Sequence, residues 1–169
     1  VNNVSQTSLQ AQGKGSWSSI TGTTTTAAKP DLTFYDGVAV SNTALKAGDT
    51  TTLNYYVVNY ESAAASASTT GLYLSTDSTI STSDTRLATS SVAGLSAYGG
   101  SNWYEYGNVS VALPSNLAAG TYYLGAIADY GSSVSETNES NNASRGVAIT
   151  VTGTTTTAAK PDLTFYDGV

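Results

Sequence analysis

Residues Leu117–Asp129 read LAAGTYYLGAIAD, and this stretch decides the fold. A leucine is followed by a glycine, and a tyrosine stands two places after that glycine at the head of an alternating run. That order fits the corner in which a tyrosine hydroxyl bonds the backbone a few residues upstream, a device of immunoglobulin-like sandwiches, with Tyr122 as the corner residue. In an extended strand successive side chains point to opposite faces, so Leu124, Ala126 and Ala128 share the inward face of Tyr122 while Tyr123 and Ile127 take the other.

Working outward, the same period of two recurs in short runs. Asp31–Asp36 puts Leu32 and Phe34 on one face. Thr51–Asn59 does so with Leu53, Tyr55 and Val57, leaving Thr52, Asn54, Tyr56 and Val58 opposite. Gly71–Ser75 is a further strand, Asn108–Leu113 alternates Val109, Val111 and Leu113, and Gly146–Val151 alternates Val147, Ile149 and Val151. About seven short strands separated by Gly, Asn, Ser and Pro turns, with no helical segment between them, predict an all-β antiparallel sandwich of two sheets. The expected core is Leu32, Phe34, Leu53, Tyr55, Val57, Val109, Val111, Tyr122, Leu124 and Ile149, because a one-residue slip would turn each apolar face outward.

The stretch TGTTTTAAKPDLTFYDGV occurs twice, letter for letter, at Thr21–Val38 and again at Thr152–Val169. The interval matches one small domain plus a linker, so the chain reads as one period of a tandem array. The division that follows is an N-terminal segment or tail of a preceding module at 1–20, a Thr-rich linker at 21–29, a sandwich at 30–151, a second linker at 152–160, and at 161–169 the first strand of a next repeat or an inter-subunit strand. Leu163, Phe165 and Tyr166 in that last strand are then interface residues, and an array continuing beyond Val169 is the favoured arrangement. A head-to-tail contact repeated without closing generates a filament.

Of 169 residues only 11% are charged, with a net charge of −6 and no Cys, His or Met. Missing cysteine removes disulfides, thiol catalysis and thiolate metal sites, and missing histidine removes the commonest general base. Most enzyme chemistry is excluded. The six basic residues Lys14, Lys29, Lys46, Arg86, Arg145 and Lys160 are scattered, which argues against nucleic acid as a partner. No apolar run approaches the roughly 20 residues that span a bilayer as a helix. The absence of oxidisable Cys and Met suits a location outside the cell.

KPDLTFYDGV, ALKAGDTTTLNYYVVN, LYLSTDSTISTSDTRL, LPSNLAAGTYYLGAIAD and VSETNESNNASRGVAITV together, in that order from about Pro30 to Val151, resemble the CARDB family, the cell adhesion related domain found in bacteria. The resemblance implies an immunoglobulin-like sandwich, tandem arrangement, and a secreted or cell-surface bacterial protein. It leaves the ligand open, since one scaffold carries many functions.

Carboxylates are the only side chains suited to a hard cation. Asp77 and Asp84 in one loop, and Asp129, Glu136 and Glu139 in another, are candidate calcium ligands. The favoured reading is structural: Asp and Asn side chains that bond nearby backbone hold turns, no cofactor is expected, and calcium is not required. No pair of acids is marked for glycosidase work, so no enzyme is expected. The N-x-S/T triplets at Asn108, Asn138 and Asn142 receive no role. Tyr98, Trp103, Tyr104 and Tyr106 within AYGGSNWYEYG are a candidate ligand platform, weighed against the favoured reading that Trp103 covers one end of the core while Tyr104 and Tyr106 decorate a strand. The function expected is a non-catalytic structural or adhesive module that joins neighbouring copies and contacts a surface glycan or protein. The alternative is a carbohydrate-binding or accessory module of a secreted enzyme.

Overall fold

The computed structural model of the chain describes residues 27–152. The expectations placed on 1–20, on the linkers, on 161–169 and on Leu163, Phe165 and Tyr166 lie outside them. Eight strands follow in order: β1 (Leu32–Val40), β2 (Ala44–Lys46), β3 (Thr50–Asn59), β4 (Ser68–Ser75), β5 (Thr85–Val92), β6 (Tyr104–Ala112), β7 (Gly120–Ile127) and β8 (Val147–Thr152). One sheet has the order β1-β3-β6 and the other β2-β8-β7-β4-β5. All pairings are antiparallel except β2 with β8, which is parallel. There is no helix among the described residues. The sandwich is therefore the predicted all-β fold.

Alternation explains the core. Leu32, Leu53, Tyr55, Val57 and Val111 from the three-stranded sheet meet Leu72, Leu74, Leu124, Ala126, Ile149 and Val151 from the five-stranded one. Phe34, Val109 and Tyr122 are half-buried against the same cluster, so all ten expected core residues belong to it or pack on it. Tyr123 and Ile127 lie on the opposite face of β7 with Tyr73, Ile80 and Tyr130, where Arg86 sits 4.7 Å above the Tyr130 ring. The corner forms as expected: the Tyr122 hydroxyl donates to the Ala118 carbonyl at 3.3 Å.

Two strands are additions to the sequence reading. β2 is only three residues long, and β5 is a Ser/Thr-rich edge strand that exposes half of its side chains. β1 also runs past Asp36, because Asp36 and Gly37 both take positive φ (56° and 79°) and form a bulge between Tyr35 and Val38. Glycine adopts that region freely and Asp tolerates it better than most residues. The bulge returns Val38 to the inward face opposite Tyr55. Beyond Val40 the chain changes sheets, so β1 and β2 lie in one direction on different sheets.

Candidate functional site

The outer face of the β1-β3-β6 sheet is where alternation places side chains that the core does not use. Pairing aligns Tyr35 with Tyr56 and Tyr56 with Tyr106 in one cross-strand row, and Thr33, Val58 and Tyr104 in the next. Directly opposed side chains on neighbouring strands are close enough to touch, and aromatic pairs do so most favourably edge-on or offset. Tyr56 lies 5.0 Å from Tyr106 and 5.9 Å from Tyr104 between ring centroids. Trp103 stands edge-on to Tyr98 at 4.9 Å and to Tyr104 at 5.2 Å, with Tyr60 packed against both Tyr98 and Trp103.

These rings enclose an open groove of about 530 Å³ lined by Tyr35, Tyr56, Val58, Tyr98, Trp103 and Tyr104. Val58 points away from the core yet is only 1% exposed, because the rings cover it. Tyr98 remains 59% exposed, and Tyr35, Tyr104 and Tyr106 about half. Trp103 is half-buried in this outer layer and is no member of the core, which corrects the expectation that it caps one end of the sandwich. Trp103 lies in the bend just before β6, which begins at Tyr104 rather than at the Asn108 read from the sequence, so strand alternation does not set its side and its ring packs outward against Tyr60, Tyr98 and Tyr104.

The loops bearing Tyr60, Tyr98 and Trp103 are tied down by Asn59, which is fully buried. Its amide donates to the carbonyls of Ala63 (2.7 Å) and Ser96 (3.0 Å), and its oxygen accepts from the backbone N–H groups of Asp31 and Glu61 (both 3.1 Å). A primary amide has two donor hydrogens and two acceptor lone pairs, so every one is used. The Asn59 N–H also donates to the Trp103 carbonyl, and the Tyr98 N–H to the Glu61 carbonyl, both at 2.9 Å. Desolvation among the rings, then Tyr35, Tyr98 and the Asp36 carboxylate, push the Tyr60 hydroxyl above its ordinary pKa. It stays a neutral donor. Farther along the face the Tyr106 hydroxyl donates to Asn54 Oδ1 at 2.7 Å, and Asn108 Nδ2 donates to the same oxygen at 2.5 Å.

The carboxylates occupy other places. Asp77 accepts from the Thr79 N–H and Asp84 from the Ser81 N–H, each closing a turn in the β4–β5 loop. Asp129, buried and at φ 41°, accepts from the Ser133 hydroxyl (2.6 Å) and the Val134 N–H (2.7 Å). Glu139 takes the Glu136 N–H, and Glu136 takes the Leu32 N–H and the Asn142 amide. With the bonds from Thr137 N–H to Pro30 O and from Asn141 Nδ2 to Asp31, this loop fastens the start of β1. Tyr35, Tyr56, Val58 and Tyr60 are the face residues not singled out from the sequence. The available signal was the outward position of tyrosines on two predicted strands, where a solvated face has no need of them.

The family model CARDB matches residues 29–146. The chain belongs to the CARDB family. It is a family of non-catalytic modules described as cell-surface related. The crystal structure of a CARDB domain from Pyrococcus furiosus, in complex with di-metal ions, is similar at 19% identity and a TM-score of 0.54, covering 76% of this chain and 98% of that one. A solution structure of the same archaeal domain covers 75% and 98% at 18% identity, with a TM-score of 0.53. At such identity the likeness bears on the fold alone. No curated protein matches the chain. As for metal, the described residues of this CARDB domain hold no group of three or more acidic side chains placed to bind an ion. The carboxylates that the sequence singled out are engaged by backbone N–H groups.

Proposed function

We propose that this CARDB domain is a non-catalytic adhesive module of an extracellular bacterial repeat protein, strung head to tail with neighbouring copies and presenting its tyrosine face along the resulting fibre. One observation carries the reading. The chain enters the sandwich at the end where Leu32 pairs with Asn59 and leaves it at the opposite end, where Thr152 lies beside Lys46. Opposite exits suit linear stringing, since each module then passes the chain on along its own axis. The segment that leads into β1 is repeated letter for letter after β8, so the sequence itself supplies a first strand for a neighbour. In the first copy Leu32 and Phe34 face the core; their counterparts Leu163 and Phe165 would need an equivalent sheet. An unpaired strand edge is a ready template for such addition.

Electron microscopy and sedimentation of the full chain test this. End-to-end assemblies are expected, shortened to single modules by deletion of residues 161–169 or by Phe165→Ser. Assemblies that persist after the deletion would refute the connecting role.

A further inference from the structure

The ligand class of the tyrosine face is legible in its chemistry. We infer that the groove among Tyr35, Tyr56, Tyr98, Trp103 and Tyr104 binds a neutral glycan, a β-linked chain of gluco-configured sugars. This rests on the reading of the face as the module's adhesive surface and names what that surface holds.

Size comes first. About 530 Å³ lies within the roughly 300–1,000 Å³ of small-ligand sites, and the groove is open rather than closed, as a chain passing across the sheet requires. Aromatic faces carry negative charge density and attract polarised C–H groups. A pyranose whose hydroxyls are all equatorial directs its axial C–H bonds to both faces of the ring, so it stacks on such surfaces from either side. Successive β-linked units keep those faces exposed along an extended chain.

Charge narrows the class further. Neither β1, β3 and β6 nor the segments 60–67 and 93–103 contain a Lys or Arg, while Asp36 follows Tyr35 and is near enough to raise the Tyr60 pKa, and the Glu61 carbonyl accepts from the Tyr98 N–H. Lys29 is bonded to Ser135 and Arg86 lies over Tyr130, both away from this face. Among the described residues, uronate, sulfated or phosphate-bearing chains would meet no cation on this face, with no counterion exchange to favour them. A neutral polyol can exchange hydrogen bonds with the hydroxyls of Tyr35, Tyr56, Tyr98 and Tyr104 that line the groove.

A protein occupant fits less well. The centres of protein interfaces are enriched in Arg, Met and aromatic side chains in apolar surroundings. This face offers no Arg or Met, and its one large aliphatic residue at the groove, Val58, is sealed beneath the rings. The rings are held by edge contacts with one another and by the loops that Asn59 ties down, so little ordering is left to be done on binding.

The test uses the full chain carrying Trp17→Phe, which leaves Trp103 as the sole tryptophan. Cellohexaose is expected to shift and saturate Trp103 emission. Tyr104→Ala and Tyr35→Ala, both at exposed positions, are expected to weaken that binding at least tenfold with an unchanged melting temperature. Polygalacturonate is expected to give no response. The inference fails if cellohexaose produces no change up to millimolar concentration, if the variants titrate like the parent, or if maltohexaose or polygalacturonate binds in its place. It also fails if the parent self-associates through this face and Tyr104→Ala abolishes the association. End-to-end assembly is scored separately by microscopy, where Tyr104→Ala should have no effect, so loss of glycan binding and loss of the fibre reading are distinguishable results.

Discussion

Glu136 is 3% exposed, and its two oxygens accept from the Leu32 N–H and the Asn142 amide. Burial raises its pKa to about 7; the two hydrogen bonds act against that rise, while Glu139 and Asp129 add to it. Asn142 Oδ1 is buried without a partner, so turning that amide over would let it accept a proton held by Glu136. A folded-state pKa above the unfolded value of 4.5 means that the native state binds more protons between those limits. The contribution of Glu136 to stability is therefore complete below about pH 4.5 and is lost as pH rises through about 7. The slope from one such group is at most about 1.4 kcal/mol per pH unit. Glu136→Gln keeps the shape, removes the titration and can bond a turned Asn142. Urea denaturation at several pH values should show the variant gaining on the parent as pH rises through this window; a constant difference, or a reversed one, refutes the assignment. None of this was legible in SETNESNN as a string, because the burial of Glu136 and its bond to the Leu32 N–H depend on a strand that lies far away in the chain. Asn59 was equally silent: alternation placed it at the end of a strand, and its four bonds exist only after distant loops return to it.

At the scale of elements, β3, β7 and β8 were legible because apolar side chains recur at every second position on the face toward the core, which writes a period of two into the sequence even where, as at Val58 and Ile127, the other face is covered too. β5 left no such mark. As an edge strand paired only with β4, it presents Thr85, Arg86, Thr89 and Ser91 to solvent, and its composition is that of a loop. β2 is too short to have a period. The tyrosine face was half legible: the AYGGSNWYEYG cluster stood out, whereas the contribution of β1 and β3 needed the pairing register. β6 shows how tightly that register is fixed. Gly107 lies opposite Tyr55, and a Cβ there would run into the Tyr55 ring rather than into a flexible chain end. Gly107→Ala should cost about 1–3 kcal/mol, as overpacking of a filled core does. A double-mutant cycle with Tyr55→Leu should give a favourable coupling of at least about 1 kcal/mol in chemical denaturation. Additive effects would show that the ring is free to move aside.

For the whole molecule, the direction of the strands decides how a fibre of these modules would carry load. β2 and β8 are parallel neighbours, with Ala44 beside Thr150 and Lys46 beside Thr152. Tension applied at the two ends draws β1 and β2 toward the entry end of the sandwich and β8 toward the exit end. The two paired strands are thus pulled lengthwise in opposite directions, and their hydrogen bonds resist together rather than opening one at a time. Two of those links are the Thr150 N–H to the Thr43 carbonyl at 2.7 Å and the Thr152 hydroxyl to the Leu45 carbonyl at 3.2 Å. Thr150 is exposed, so Thr150→Pro removes a link of this clamp while leaving the core intact. Because β8 lies between β2 and β7, the proline should also cost about 1–3 kcal/mol at equilibrium, comparable to Gly107→Ala. Force spectroscopy on a chain held by its ends should nevertheless show a lower unfolding force for Thr150→Pro than for Gly107→Ala, although Gly107→Ala disturbs the packed interior. Equilibrium stability reflects all the interactions that unfolding breaks, whereas the peak force reports the few bonds loaded first. An unfolding force unchanged by Thr150→Pro would mean that the load bypasses the β2–β8 pair and is borne by β1 and the Glu136 loop that fastens it.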